Sequence, residues 1–445
     1  MYHIERPRLH DFVWSGFFFE SACLCDCPSL IMTPPQLQYH TTTQGLRVVY
    51  YPIPSHVTYI GYMVQTGSAH DPHPYHGLAH CTEHMLFKGT HRRHALHLVN
   101  RVEAVGADLN AFTTKEDTTL HITIPSRYAL RAVHLLTDIV LNSYIPADEL
   151  SKEQEVIIEE IASYLDAPSE RIYDEFEELL FSGTPLAHNI LGSEQSVRRI
   201  SSTVVRRFMD QYYRPDNMVL GIWGEIDFDK AIEMIEHLYS EPRVAAGGPF
   251  KVPKIKPTTT PERLIAKTHL YRTNQCHCII GTHAPSLHNR ERYAMTLFNN
   301  FIGGPAISSQ LNLHLREELG LVYSVEASYT PYLNDGVWNV YLGTGSDTLQ
   351  QAVEAVHRIL DRHVTTPMSV EQLEISKQQI VGQLLLANDQ HDSELITMLK
   401  SYLYFGRVSS VAEIAERIQA ITPEEITDTV GRYLTRAQRH TLIYK

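Results

Sequence analysis

The feature that most constrains this 445-residue chain is an internal repeat, because one succession of strand-like and helix-like segments occurs twice. In the first half, apolar strand patterns come before and between helical patterns, and long helical patterns and a final strand pattern follow. These segments lie at residues 47–52, 56–66, around 80–84, 95–105, 107–113, 118–125, 128–141, 147–165 and 217–223. The segments 107–113 and 118–125 are typical of a β-hairpin.

The second half shows the same order of segments after residues 241–262, a stretch rich in Pro, Gly, Lys and Thr that predicts a linker. Its strand and helix patterns lie at 276–282, 291–301, 322–329, 336–343, 348–363, 370–387, 393–404, 423–434 and 440–444. Such an order favours mostly antiparallel sheets with helices on one face over a doubly wound parallel sheet. We therefore expect an α+β fold of two structurally repeated domains, at 36–240 and 263–445, after an N-terminal extension at 1–35 without regular structure.

Composition and charge exclude several classes of protein. The formal net charge is −13 and no long run of Lys or Arg occurs, so a nucleic-acid-binding surface is not expected. No stretch reaches the roughly 18 apolar residues that a membrane span requires. The N-terminal segment is a poor secretory signal and a poor mitochondrial presequence, so the expected compartment is the cytoplasm, with the periplasm and secretion left open. Six sparsely spaced cysteines do not predict a disulfide framework.

A short motif, His80-Cys81-Thr82-Glu83-His84, carries the chemistry. Histidines four residues apart on a helix lie on one face, about 6 Å apart, so both imidazoles can bind one zinc ion. Glu83 lies beside them, where its carboxylate can accept a proton from a metal-activated water. This is the inverted HxxEH arrangement of certain zinc peptidases. The motif is short, however, and an amphipathic helix with two surface histidines is the structural alternative.

A third ligand supports the metal interpretation. The strongly helical segment 153–161 places Glu153 and Glu160 seven residues apart, on one face. Glu160 can complete a site of two histidines and one carboxylate. Glu153 can lie behind it and orient a ligand. We therefore expect one Zn²⁺ per chain, bound by His80, His84 and Glu160.

The segment 77–90 (GLAHCTEHMLFKGT) resembles the signature of the M16 metallopeptidases, the family of pitrilysin, insulinase and mitochondrial processing peptidase. In that family the metal-binding Glu lies 76 residues beyond the second His, and Glu160 has this distance from His84. Glu153 matches a further family carboxylate with a catalytic role. The resemblance implies a zinc-dependent endopeptidase that cleaves peptides or unfolded segments.

The likeness runs from about residue 38 to the C-terminus and includes the segments 184–192 and 212–220. Asn110, Ala111 and Phe112 resemble the family strand that pairs with the substrate backbone, which is β-augmentation. The resemblance therefore implies that these three residues bind substrate.

Arg316 and Tyr323 match a second family element, an Arg and a Tyr seven residues apart, which implies that they stabilise the oxyanion of the tetrahedral intermediate. Short members of the family pair into a closed chamber in which this element faces the zinc of the opposite subunit. We therefore expect a homodimer with composite sites. Near this element, Pro305 and Gln310 depart from the usual family pattern and leave substrate preference open.

The second half has no HxxEH, and the counterpart of Glu160 falls near Gln383 or Leu384, so only the first half is expected to bind metal. The family also contains non-catalytic or partner-dependent subunits that act as binding or structural proteins. These usually lose part of the motif, whereas all four of its residues are present here. The enzyme is therefore the preferred interpretation and the inactive subunit the alternative.

Overall fold

Strands and helices follow one another in two similar series. The computed structural model describes residues 36–240, 264–271, 275–387 and 391–445, so the expected extension at 1–35 and the linker at 241–262 lie outside the described residues. The strands are β1 Gln38–Thr41, β2 Arg47–Pro52, β3 Val57–Val64, β4 Gly89–Thr90, β5 Arg93–His94, β6 Asp108–Thr113, β7 Thr118–Pro125, β8 Met218–Gly224, β9 Ala266–His269, β10 Cys276–His283, β11 Val322–Pro331, β12 Gly336–Thr344 and β13 His440–Tyr444.

The helices include most of the predicted ones, with ends shifted by a few residues. The α-helices are α1 Leu78–Leu86, α2 Ala95–Glu103, α3 Ala129–Asn142, α4 Ala147–Leu165, α5 Pro168–Leu180, α6 Glu194–Val197, α7 Ser202–Tyr212, α8 Phe228–Tyr239, α9 Arg292–Gly303, α10 Leu349–Thr365, α11 Val370–Ala387, α12 His391–Phe405, α13 Val411–Gln419 and α14 Pro423–Tyr433. A π-helix spans Asn312–Glu318. Across the described residues, no helix is long and apolar enough to cross a membrane.

The predicted repeat is confirmed by strand order. The first sheet has the order β1-β2-β8-β3-β7-β6, and the second has β11-β12-β10-β13-β9. Without β1, the first sheet has the order β2-β8-β3-β7-β6. These strands correspond one by one to β9-β13-β10-β12-β11, which is the order of the second sheet read from its other edge. Pairing is antiparallel except between β2 and β8 and between β9 and β13, which are parallel in both cases. Both sheets are thus mostly antiparallel, as the sequence patterns predicted.

Contacts divide the chain into two compact units that are not contiguous in sequence. The first contains the described residues within 36–161, 188–240 and 387–413, and the second those within 162–187, 264–386 and 414–445. The first unit thus includes α12, and the second unit includes α5. Each unit therefore contains a helix from the opposite half of the sequence.

Helix α12 covers the second face of the first sheet, whereas the sequence patterns predicted helices on one face only. Helices α1 to α4, α7 and α8 contribute to the core on one face, as expected. Leu395 and Leu399 of α12 pack on the other face, over the paired glycines Gly61 and Gly221. A Cβ atom at Gly221 would lie 2.9 Å from a methyl carbon of Leu399, so the absent side chains allow the close approach. Both faces of this sheet are buried as a result.

Helix α5 is held on the second sheet by hydrogen bonds of its polar side chains. The Tyr444 hydroxyl donates to Glu175 at 2.6 Å, and the Tyr332 hydroxyl donates to Glu177 at 2.9 Å. Phe176, between these two glutamates, approaches Gly281 so closely that a Cβ atom there would lie 2.9 Å from its ring. The helix is thereby fixed to several strands at once.

Glu394 of α12 makes the free energy of unfolding depend on pH. Its side chain is buried, and its Oε2 has no hydrogen-bond partner among the residues that the structure describes. Burial raises the pKa of Glu394 from 4.5 to about 8. Between these two values the folded chain retains a proton that the unfolded chain has lost. Stability contributed by this group is therefore complete below pH 4.5 and is lost as the pH rises toward 8, by about 1 kcal/mol per pH unit.

We expect Glu394→Met to remove this pH dependence, because the thioether carries no titrating group and has a similar length. Urea unfolding between pH 5 and 9 measures the effect. The variant should become more stable than wild type as the pH rises to 8. Glu371→Met changes an exposed Glu of α11 and serves as the control. If the free energies of unfolding of wild type and Glu394→Met change with pH in the same way, ionisation of Glu394 does not destabilise the folded chain.

Candidate metal centre

The helix α1 that carries the motif is held in place at its N-terminus by a buried carboxylate. Asp71 Oδ2 accepts hydrogen bonds from the N–H groups of Gly77 and Leu78 at 2.7 and 3.1 Å, and Oδ1 accepts from Ala79 at 2.9 Å. These donors are groups that a helix cannot satisfy internally. Burial raises the pKa of Asp71 to about 8, and the three hydrogen bonds act in the opposite direction. The cap fixes the start of the helix three residues before His80.

The backbone at the start of this helix requires a glycine at position 77. Its φ is 91°, in the left-handed region that favours glycine. A Cβ atom there would also lie 2.5 Å from the carbonyl oxygen of Leu191. The start of the motif helix therefore packs closely against the backbone at Leu191. Every residue of the helix is buried.

His80, His84 and Glu160 come together, as expected from their helical spacing and from the family resemblance. Their potential ligand atoms lie within 4.8 Å of one another, and no other such group of three His, Cys, Asp or Glu occurs in the described residues. Glu160 Oε2 lies 3.6 Å from His80 Nε2 and 3.8 Å from His84 Nε2. Two imidazole nitrogens and one carboxylate that converge in this way form a donor set suited to zinc.

Glu153 contacts one ring nitrogen of His84, and Glu160 lies near the other. The Nδ1 of His84 lies 3.0 Å from Glu153 Oε2, and Lys88 Nζ lies 2.5 Å from the other carboxylate oxygen. Burial acts to raise the pKa of Glu153, but the hydrogen bonds from His84 and Lys88 outweigh it and lower the pKa. An ionised Glu153 accepts a hydrogen bond from the Nδ1–H group, which leaves the lone pair of a neutral His84 on Nε2.

The surroundings of His84 favour a bound cation. Its Nε2 is buried and has no hydrogen-bond partner in the described part of the chain, although it points toward Glu160. Burial acts to lower the pKa of His84, yet the hydrogen bond with Glu153 and the charges of Glu83 and Glu160 raise it overall. The same carboxylates would stabilise a divalent ion at this position. The residues present therefore fit zinc.

Glu83 lies beside this group and is held by a neighbouring strand. Its side chain is only 1% exposed, and it is not among the three candidate ligands. The Thr113 hydroxyl donates to Glu83 Oε2 at 2.6 Å. Thr113 is the last residue of β6, so the proposed base is connected directly to that strand.

Strand β6 forms one edge of the first sheet and carries the predicted substrate-binding residues. It pairs with β7, Asn110 opposite His121 and Ala111 opposite Leu120, and no described strand pairs on its other side. The Ala111 N–H donates to the side-chain oxygen of Asn110 at 2.9 Å. Ala111 and Phe112 are buried. The edge therefore has the geometry needed to accept a further strand.

Arg316 and Tyr323 lie in the second unit, each at an irregular piece of backbone. Arg316 belongs to the π-helix, and its Nε lies 3.3 Å from Glu317. A bulge between Val322 and Ser324 interrupts β11, and the Tyr323 side chain is 72% exposed. Such irregularities often occur at functional sites, where they direct individual side chains.

The cysteines of the described chain have no role in the metal centre. Cys276 and Cys278 are buried residues of β10, which agrees with a strand interpretation. Burial raises the pKa of the Cys278 thiol, and it raises the pKa of Cys81 to about 12. These groups therefore stay protonated and unreactive.

Three residues that support the site were not predicted in these roles from sequence. Asp71 caps the motif helix, Lys88 contacts Glu153, and Thr113 contacts Glu83. Only Lys88 had a local signal, because it lies four residues after His84 within the segment 77–90 that resembles the family signature. The contacts of Asp71 and Thr113 depend on loop and strand packing, which no sequence spacing indicates.

Comparisons with known proteins show which family the chain belongs to. The sequence pattern of the insulinase family, peptidase family M16, matches residues 47–194, and that of the peptidase M16 inactive domain matches 199–380. YmxG of Bacillus subtilis, named an uncharacterized zinc protease, is 30% identical over 410 residues, which cover 92% of this chain and 98% of that protein. An uncharacterized zinc protease of Rickettsia bellii is 28% identical over 402 residues, covering 90% and 95%.

Solved structures share the fold. The structure of a peptidase M16 inactive domain from Pseudomonas fluorescens has a TM-score of 0.82 at 18% identity, and covers 92% of this chain and 98% of that one. A protease from Helicobacter pylori has a TM-score of 0.80 at 18% identity, with 92% and 99% covered. At these identities the likeness concerns the fold alone.

Proposed function

Because the chain belongs to the M16 family of peptidases, we propose that it is a zinc-dependent endopeptidase that cleaves peptides or unfolded segments. The observation that carries this proposal is the convergence of His80, His84 and Glu160 beside the buried carboxylate of Glu83. Hydrolysis of a mixed fluorogenic peptide library by the purified chain, with and without a chelator, tests it. Turnover that the chelator abolishes is the expected result, and chelator-insensitive turnover would contradict zinc dependence.

The residues of the site have separate roles in the proposed hydrolysis. His80, His84 and Glu160 would hold one zinc ion, which supplies Lewis-acid polarisation of the scissile carbonyl and acidifies water. Glu83 accepts the proton of the attacking water and then delivers it to the leaving amine nitrogen. Glu153 keeps His84 in the tautomer that offers Nε2.

The free edge of β6 is the proposed binding surface for substrate. An extended peptide can add to it as a further antiparallel strand, with Asn110, Ala111 and Phe112 as its neighbours. Backbone pairing of this kind requires an unfolded segment, because a peptide bond within a folded domain already uses its N–H and C=O groups. The expected substrates are therefore peptides or unfolded chain segments rather than folded domains.

We propose that the second unit supplies substrate contacts to another copy of the chain. A homodimer with a closed chamber would place Arg316 and Tyr323 of one subunit at the zinc site of its partner. Their exposure and charge suit the stabilisation of an oxyanion by a guanidinium and a hydroxyl. The alternative, a subunit without activity of its own, is disfavoured because the ligand set and Glu83 are complete.

Mixing two inactive variants tests the composite site. We expect His80→Ala and Arg316→Ala each to abolish most turnover, and the mixture to recover up to about a quarter of wild-type activity. The recovery arises because half of the subunits pair randomly into mixed dimers that hold one intact site. Turnover after unfolding and refolding the mixture is the measurement. A mixture that contains mixed dimers and stays inactive would contradict the composite site.

A further inference from the structure

The Thr113 hydroxyl makes a polar side-chain contact that links the substrate strand to the proposed base. It donates to Glu83 Oε2 at 2.6 Å, and an ionised carboxylate can only accept, so the direction of this hydrogen bond is fixed. Thr118, opposite Thr113 in β7, donates its own hydroxyl proton to the Thr66 carbonyl at 2.8 Å. The two threonine oxygens lie 3.4 Å apart. The proton of Thr113 is therefore available to Glu83.

A hydrogen bond of this kind restricts the orientation of the carboxylate that is proposed as the base. The terminal torsion of a Glu side chain is broad, so a carboxylate without such a contact samples many orientations. Thr113 donates to Oε2 and so favours the orientations of the Glu83 carboxylate that keep this contact. Charge-assisted hydrogen bonds are the stronger class, and this one lies in a site where Glu83 is almost fully buried.

We propose that Thr113 is a positioning residue that couples substrate binding on β6 to the orientation of Glu83. Asn110, Ala111 and Phe112 immediately precede it on the same strand. A peptide that pairs with these residues fixes the position of the edge strand. The hydrogen bond from Thr113 then fixes the orientation of the Glu83 carboxylate. The proposal rests on the proposed peptidase function. It predicts a defect in the chemical step rather than in substrate or metal binding.

Thr113→Val tests the coupling because valine preserves the branched shape and removes the donor. We expect kcat to fall about 10- to 100-fold, corresponding to one lost hydrogen bond to a charged group, with KM and zinc content near wild-type values. Thr113→Ser, which keeps the hydroxyl, should recover most of the loss. Thr58→Val is the matched control, because it removes a buried hydroxyl that bonds Ser126 and the Glu225 carbonyl in the same sheet.

Crystal structures of wild type and Thr113→Val supply a readout independent of turnover. The Glu83 carboxylate should have one orientation in wild type and should rotate or occupy several orientations in the variant. An unchanged kcat in Thr113→Val, equal losses in Thr113→Ser, or an unchanged Glu83 orientation would each overturn the proposal. If wild type itself lacks turnover, the peptidase function fails, and the orientation of Glu83 in the two structures still decides the role of Thr113.

Discussion

Replacing Glu83 with Gln is expected to lower peptide turnover on the order of 10²- to 10⁴-fold while zinc content stays at the wild-type level. The amide has the size of the carboxylate and still accepts the hydrogen bond from Thr113, so the surrounding packing should persist. It cannot accept the proton of the attacking water. Glu83 is also outside the candidate ligand group, which is why its loss should leave the metal in place.

The measurement is turnover of a fluorogenic peptide library, with zinc quantified in the same samples. Glu103→Gln, at the end of α2 and exposed, is a control for an amide replacement away from the site. Retained turnover in Glu83→Gln at normal zinc content would remove Glu83 from the mechanism. Loss of zinc together with turnover would instead make Glu83 a metal ligand.

Replacing Glu160 with Gln is expected to weaken zinc binding strongly and to abolish turnover at limiting zinc. A neutral amide is a poorer ligand for zinc than a carboxylate, and the remaining His80 and His84 would hold the ion with two nitrogens only. Both this variant and Glu83→Gln should lose most of their activity. They should differ in zinc content, which separates the role of a ligand from that of a base.

Glu159→Gln is the matched control, because Glu159 is the exposed neighbour of Glu160 on α4 and carries the same charge. Competition with a chromogenic chelator measures zinc affinity in both variants and in wild type. Equal affinities in Glu160→Gln and wild type would exclude Glu160 as a ligand. A loss shared by both variants would point to overall charge rather than coordination.

The sequence predicted that His80, His84 and Glu160 lie together because these residues follow local rules. His80 and His84 share a face at helical spacing, and Glu153 and Glu160 do the same on a second helix. What sequence spacing alone could not supply is the packing of these two helices, and family resemblance provided that link. The repeat was likewise readable from segment order, and the equal strand orders confirm it.

The parts that sequence did not predict depend on long-range packing. The apolar pattern of α12 marks a buried helix but does not say which sheet it covers, and its fit over Gly61 and Gly221 appears only in the structure. The same holds for α5 and the second sheet. The contact from Thr113 to Glu83 joins residues thirty positions apart, and threonine in a strand is ordinarily explained by β propensity.

The most direct test of zinc-dependent catalysis is to restore zinc stepwise to metal-free protein and follow peptide turnover and bound metal together. We predict no turnover without metal and a rise that reaches its maximum at one zinc per chain, in wild type but not in Glu83→Gln. The variant should bind the same single zinc ion. Turnover by the metal-free chain, or an inactive chain with its site filled, would contradict the account.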